Sequence, residues 1–188
     1  MLNILLWLPV VGAAIVGFYP SNLEGAKLRQ ITAIFAFLTF GWSLWLLTQF
    51  NLSISGLQFT EYLPWIPQIG LNYSLAIDGL SLPLLILGNL LTVIAIYSIG
   101  ENPERPRFYY SLILLINAGI AGALMAQNLL LFILFYELEL IPFYLMIAIW
   151  GGPKRGYASI KFLLYTAVSG LLVLAAFLGI GFLSGSLS

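Results

Sequence analysis

The stretch that decides the fold is LLLFILFYELELIPFYLMIAIW, residues Leu129–Trp150. It contains two glutamates and no other charged residue. As an α-helix it is about 33 Å long, and the hydrocarbon core of a bilayer is about 30 Å thick. A run of this length and composition predicts a helix that crosses a membrane.

Five further apolar runs lie on either side of this stretch. Together they give six predicted transmembrane helices, at residues 2–18, 31–50, 80–99, 109–126, 129–150 and 157–183. We therefore predict an all-α polytopic membrane protein, with residues 1–188 forming one membrane domain.

The composition favours the same class and excludes others. Of 188 residues, 61% are hydrophobic and 7% are charged, against roughly 25% charged in a soluble domain. Seven basic residues balance seven acidic ones, which leaves no excess of positive charge to hold nucleic acid. Histidine and cysteine are absent, and with them the usual ligands of haem, iron–sulfur clusters and zinc. We predict the lipid bilayer as a partner, no nucleic acid, and no metal or redox cofactor in this chain.

The connection between the second and third predicted helices, residues 51–77, is the long one. It contains Pro64 and several short alternating segments. These features predict a small hairpin-like element outside the membrane. Tyr62, Trp65 and Tyr73 are expected at headgroup depth, where aromatic side chains are enriched.

Basic residues predict the orientation of the chain. Apart from Lys161, they occupy the connections after the first, third and fifth predicted helices: Lys27, Arg29, Arg105, Arg107, Lys154 and Arg155. Loops rich in Lys and Arg face the cytoplasm. We therefore predict that the N terminus and the 51–77 connection lie on the periplasmic or lumenal side.

Two acids lie inside the fifth predicted helix. Glu137 is about 13 Å from Asn128 along the helix axis, close to the middle of the bilayer. An unpaired carboxylate there costs roughly 3 kcal/mol or more, so the group must be protonated, hydrated or paired. We predict Glu137 as a proton carrier and Glu139, which is rotated by about 200° around the helix, as a secondary site. The alternative is that both acids are structural and hold neighbouring helices together.

Three further residues bear on the site. Pro142 cannot donate to the carbonyl of Leu138, so it leaves a free acceptor between the two glutamates. Lys161, about one turn into the sixth helix, either extends to the membrane interface or functions in the site, by taking part in a hydrated proton path or by pairing with a glutamate. Asp78 is expected to cap the third helix.

Four motifs carry a resemblance to a known family. They are FYELELIPFY at 135–144, IWGG at 149–152, KFLLYT at 161–166 and IDGLS at 77–81. With these motifs the chain resembles the antiporter-like, proton-translocating membrane subunits of complex I. It is most similar to the chain 4 group of cyanobacterial and plastid NAD(P)H–quinone oxidoreductases.

The resemblance implies a fold, a key residue and a setting. Subunits of this family have about fourteen helices in two inverted repeats, so the 188 residues are expected to be the first six helices of a longer subunit. The glutamate five residues before the proline, here Glu137, is the family's key acid, and its lysine partner lies on the seventh helix. The implied location is the cyanobacterial thylakoid membrane. The short N terminus and the compact loop at 100–108 resemble the branch linked to carbon dioxide uptake more than the respiratory branch.

The resemblance also implies a function and partners. The chain is predicted to be a proton-translocating subunit of an NAD(P)H- or ferredoxin–quinone oxidoreductase, an enzyme only as part of that complex. Quinone, iron–sulfur clusters and lipids are expected in the complex, which contains other membrane subunits. The alternative functions are a stand-alone cation/proton antiporter and a membrane scaffold subunit that does not pump.

Overall fold

A computed structural model describes residues 1–19, 25–54, 56–66, 68, 70–99 and 103–184. Its helices are α1 (Leu2–Phe18), α2 (Gly25–Gln49), α3 (Ser81–Ser98), α4 (Pro106–Met125), α5 (Leu129–Trp150) and α6 (Arg155–Ser184), with strands β1 (Gln58–Ile66) and β2 (Leu71–Ile77) between α2 and α3. Five helices are long and apolar enough to cross a membrane, and α1 is shorter at 17 residues. The predicted class, a polytopic membrane protein of apolar helices, is confirmed.

Three helices begin earlier than the sequence predicted. Helix α2 begins at Gly25 instead of Ile31, α4 at Pro106 instead of Tyr109, and α6 at Arg155 instead of Tyr157. The prediction was wrong at these points because it began each helix only after the basic residues that precede the apolar run. Long basic side chains can extend from the first turn of a helix to the headgroups, so the backbone stays helical through them.

Helix α4 is the centre of the bundle. It packs against α1, α2, α3 and α5, and most of its side chains are buried. Helix α6 packs mainly against α5 and leaves most of its surface exposed. The α5–α6 pair therefore lies at one side of the described bundle, where the outward face of α6 meets no other described helix.

The strands form the expected hairpin. They pair antiparallel, with Tyr73 opposite Leu63. The β2 strand turns its buried residues, Leu75 among them, towards the helix ends, and Leu75 forms a bridge with Ala126 in the α4–α5 turn. The hairpin thus closes one end of the bundle.

The side chains expected at headgroup depth divide into two groups. Tyr62 and Trp65 on β1 are exposed, as an interfacial position requires. Tyr73 is half-buried, and its hydroxyl donates to Asn3 Oδ1 of α1. Tyr73 therefore holds the hairpin against α1, and the depth of the other two rings stays a prediction.

The two ends of the bundle differ in chemistry. The N terminus lies at the hairpin end, where Glu61 of β1 accepts a hydrogen bond from the Leu2 amide at 2.8 Å. The basic residues lie at the other end, where Arg107 Nη1 donates to the Tyr19 carbonyl at 3.0 Å. The fold therefore separates the basic connections from the hairpin, as the predicted orientation requires.

Candidate proton-carrying site

Helix α5 carries both candidate acids and continues through its proline. Glu137 and Glu139 are half-buried, while Leu138 between them is exposed. Pro142 is buried and lies inside the helix without ending it. Because proline has no N–H, the Leu138 carbonyl lacks its usual donor four residues on. The free acceptor expected from the sequence therefore lies between the two acids along the chain.

Glu137 faces α6 at a glycine. A Cβ atom added to Gly170 would overlap Oε1 of Glu137 and lie 2.9 Å from its Cδ. Gly170 is buried, whereas the other described side chains of α6 are exposed or half-buried, apart from Ser159. Among the described residues, none donates a hydrogen bond to Glu137 or forms an ion pair with it. The carboxyl group therefore lies in the α5–α6 interface without a protein partner from the described part of the chain.

Aromatic pairs lie on both sides of this contact along the α5–α6 interface. Phe143 and Phe162 have ring centroids 6.2 Å apart, and Phe132 and Phe177 have centroids 6.1 Å apart. On α5 these phenylalanines are six and five residues from Glu137, or about 9 Å and about 7.5 Å along the axis. The Glu137 carboxyl thus lies in the middle of a helix–helix interface that is apolar at both ends.

Glu139 faces the opposite neighbour, α4. A Cβ added to Gly119 would lie 2.9 Å from Glu139 Cβ and 3.5 Å from its Cα, so the two backbones approach closely. Glu139 Oε2 is buried and has no hydrogen-bond partner among the described residues. An acid in this setting is costly when ionised. The structure therefore separates the two glutamates onto different interfaces.

Lys161 is not brought near either glutamate. Its Nζ lies 5.7 Å from the ring centroids of Tyr157 and Tyr165, one turn before and one turn after it on α6. The side chain is exposed and forms no ion pair with another described residue. The described residues form no ion pair between Lys161 and a glutamate. Extension of Lys161 to the membrane interface and a part in a proton path both stay predictions.

Asp78 takes the capping position expected of it. Its Oδ1 accepts hydrogen bonds from the amides of Ser81 at 2.7 Å and Leu80 at 3.0 Å. The Asp78 amide in turn donates to Ser81 Oγ at 2.9 Å. These bonds, above all the one from the Ser81 amide, lower the pKa of the Asp78 carboxyl below its ordinary value. Asp78 therefore accepts from the first amide of α3 from a position two residues before the N-cap, Leu80, and lies outside the candidate site.

The sequence reasoning missed a buried polar group between α3 and α4. Thr92 Oγ1 lies 3.0 Å from Asn117 Oδ1 and also donates to the Gly88 carbonyl at 2.9 Å. Asn89 is buried one turn earlier on α3, with its Nδ2 unpartnered among the described residues. The sequence signal that could have revealed this group is an asparagine inside an otherwise apolar run, at Asn89 and at Asn117. Gly170 was also missed, and nothing in its local sequence marks it.

Metal binding has no candidate in the described part of the chain. No three Asp, Glu, His or Cys side chains there converge on one point. The described residues therefore offer no ligand set for a metal ion.

A bundle of apolar helices, with an acid in the middle of one of them that has no partner among the described residues, defines the class: an integral membrane protein with an ionisable group inside its helices. The family described as "NADH:quinone oxidoreductase/Mrp antiporter, TM" matches residues 126–188. Relatives matched over 98–100% of the chain include cyanobacterial NAD(P)H-quinone oxidoreductase chain 4 proteins. The resemblance inferred from the sequence motifs is thereby confirmed.

Two relatives illustrate the similarity. The chain is 42% identical over 188 residues to NAD(P)H-quinone oxidoreductase chain 4 2 of Thermosynechococcus vestitus, covering 100% of this chain and 35% of the relative. It is 40% identical over 190 residues to NAD(P)H-quinone oxidoreductase chain 4 of Prochlorococcus marinus NATL2A, covering 98% and 34%. The chain therefore spans about a third of the length of the curated relatives it matches.

Solved structures show the same fold. A chain of respiratory complex I from Thermus thermophilus with bound NADH matches with a TM-score of 0.83 and 29% identity, covering 100% of this chain and 37% of that one. A chain of the Mrp complex from Dietzia matches with a TM-score of 0.81 at 19% identity, covering 99% and 20%. The second similarity concerns the fold alone.

Proposed function

We propose that this chain is part of a proton-translocating membrane subunit of an NAD(P)H- or ferredoxin–quinone oxidoreductase, with Glu137 as its proton carrier. The observation that carries the proposal is the position of Glu137, half-buried in the middle of α5 and facing α6 without a described partner. The similarity to chain 4 proteins of NAD(P)H–quinone oxidoreductases supports the choice of complex.

The chemistry follows from the cost of burying charge. A carboxyl group in a low-dielectric interface is neutral unless a cation or water approaches it. A change of charge nearby therefore drives proton uptake or release at Glu137. This chain carries no histidine or cysteine, so electron transfer is assigned to other subunits, which hold the quinone site and the iron–sulfur clusters.

The proposal includes a location and an orientation. We place the complex in a cyanobacterial membrane, the thylakoid membrane, with the hairpin end of the bundle on the lumenal side. The separation of the hairpin from the basic residues supports this orientation. Within the chain 4 group we assign the protein to the branch linked to carbon dioxide uptake, from the sequence resemblance given above; residues 100–102 of the loop that contributes to it lie outside the described residues.

The test is Glu137→Gln in the complete subunit assembled in its complex. Glutamine keeps the shape of the side chain and removes its titration, so assembly should persist and proton uptake coupled to quinone reduction should fall at least about tenfold. Proton uptake into vesicles and native gels measure the two effects. Glu104→Gln, at an exposed position, is the matched control and should pump normally.

Each other outcome contradicts the proposal in a specific way. Normal pumping by the Glu137→Gln variant would remove Glu137 from the proton path. Loss of assembly would make Glu137 a structural residue of a scaffold. Cation-dependent proton exchange by the isolated subunit in liposomes, without quinone reduction, would indicate a stand-alone antiporter.

A further inference from the structure

We propose that Gly170 is a positioning residue for Glu137: its missing side chain leaves a notch in α6 that holds the Glu137 carboxyl group. The α5–α6 contact supports the position of the carboxyl group in this notch. The expected effect on proton uptake rests on the proposed function. A Cβ at position 170 would overlap Oε1 of Glu137 and lie 2.9 Å from Cδ and 3.6 Å from Oε2.

The atoms that fill the notch distinguish this role from ordinary helix packing. Where a glycine only lets two helices approach, the backbone or the stem of a side chain lies nearest, as Glu139 Cβ, Cα and N do at Gly119. At Gly170 the three nearest atoms are all carboxyl atoms of Glu137. The space is therefore used by the acid group itself.

Helix α6 supplies the carboxyl group with space, and the Thr166 hydroxyl is not available to it as a donor. Thr166 lies one turn before Gly170, and its Oγ1 donates to the Phe162 carbonyl at 2.6 Å. That hydroxyl hydrogen is therefore committed to its own helix. The notch fixes where the carboxyl lies and leaves its protonation to groups or water that approach it.

A methyl group at position 170 should move the acid without disrupting the fold. The obstacle is the far end of a flexible side chain, so Glu137 can change rotamer while the helices stay in place. The displaced carboxyl must leave the α5–α6 contact. Because misplacing a reacting group by about 1 Å can cost up to about 100-fold in rate, a small movement is enough to impair proton transfer.

The experiment compares Gly170→Ala with Gly179→Ala in the complete subunit within its complex. Gly179 lies on the same helix and has open space at its Cβ position, so it is the matched control. The probe is dicyclohexylcarbodiimide, which modifies protonated carboxyl groups in apolar surroundings. Mass spectrometry gives the rate of modification at Glu137 relative to Glu139.

We expect Gly170→Ala to assemble normally and to raise the Glu137/Glu139 modification ratio at least about threefold, with coupled proton uptake reduced about tenfold. Gly179→Ala should leave both values unchanged. An unchanged modification ratio in Gly170→Ala would overturn the proposal. A raised ratio together with normal pumping by Glu137→Gln would keep the positioning role and reject the proposed function.

A second variant keeps the test valid if proton uptake alone is ambiguous. Glu137→Asp withdraws the carboxyl by one methylene and makes room for a methyl at Gly170. If the two residues act through one contact, the double variant should pump no worse than the poorer single variant. Losses that multiply would show that Gly170 acts independently of Glu137 and would overturn the proposal.

Discussion

Glu137 and Glu139 are two residues apart on α5 and contact glycines on opposite neighbouring helices, Gly170 of α6 and Gly119 of α4. Two residues correspond to about 200° around a helix, so the acids cannot share an interface. Glu137 meets its glycine with its carboxyl end, whereas Glu139 meets its glycine with its stem. The same residue type thus serves different purposes on the two faces of one helix.

This difference predicts that replacing the two glutamates by glutamine has unequal effects on proton uptake. Glu139→Gln should retain more than about half of the coupled proton uptake, because Glu139 lies against the α4 backbone and away from the proposed site. The variant should also assemble normally, since an amide fits the same space. Proton uptake into vesicles, measured beside Glu137→Gln, checks this division. Equal losses in the two variants would contradict it.

The close approach of α4 and α5 predicts a sensitive position at Gly122. A Cβ there would lie 2.7 Å from Cε1 of Phe135 and closer still to other ring atoms. Overpacking of this kind costs about 1–3 kcal/mol, so Gly122→Ala should lower the melting temperature of the detergent-solubilised complex. Gly41→Ala, on α2 with open space, is the control. Phe135→Leu should partly restore the Gly122→Ala variant, and a failure to restore it would point to another cause.

Much of the fold could be predicted from the sequence because it depends on local patterns. Long apolar runs give the helices, and alternation with turn residues gives the hairpin. Small residues inside an apolar run are a local sign of close helix packing, and Gly122 of α4 does pack against Phe135. The starts of α2, α4 and α6 were misplaced because hydropathy falls at charged residues while the backbone remains helical.

The partners of the two acids could not be predicted, for a physical reason. Helix α5 is apolar on every side except at the acids, so its periodicity does not show which side faces α4 and which faces α6. The level of Gly170 relative to Glu137 depends on the register of two packed helices. Neither helix encodes that register alone, and Gly170 is therefore recognised as part of the site only in three dimensions.

Asn128 is predicted to hold the hairpin to the start of α5. Its Oδ1 accepts from the amides of Leu130 at 3.1 Å and Leu131 at 3.2 Å, and its Nδ2 donates to the Gly70 carbonyl at 2.8 Å. Asn128→Ala removes all three bonds and should cost about 2 kcal/mol. Asn128→Ser keeps a capping oxygen and should recover about half of that loss. Thermal unfolding in detergent measures both, and equal destabilisation would show that capping contributes little.

The hydrogen bonds of Asp78 are expected to contribute to the free energy of unfolding in a way that depends on pH. Hydrogen bonds from Ser81 lower the pKa of the folded Asp78 carboxyl, so its stabilisation is fully present above the pKa of the unfolded state and is lost as the pH falls through the folded value. The penalty of Asp78→Ala should therefore be constant, at about 1 kcal/mol, between pH 8 and pH 5, and should shrink below about pH 4. Asp78→Asn, which caps without titrating, should show no such change. A penalty that grows as the pH falls would contradict the assigned sign.

The orientation of the bundle gives the last prediction. Ser53 and Gly156 are exposed positions at the hairpin end and the basic end of the bundle, and the chain contains no cysteine. Single cysteines at these positions in the complete subunit should react with a membrane-impermeant maleimide from opposite sides, Ser53→Cys from the lumenal or periplasmic side and Gly156→Cys from the cytoplasmic side. Sealed vesicles of both orientations measure this, and detergent, which exposes both sites, is the control for reactivity. The helices α3, α4 and α5 lie between Ser53 and Gly156 and should cross the membrane three times, so labelling of both cysteines from one side would contradict this odd number of crossings. Opposite labelling with the sides exchanged would keep the helices and reverse the proposed orientation.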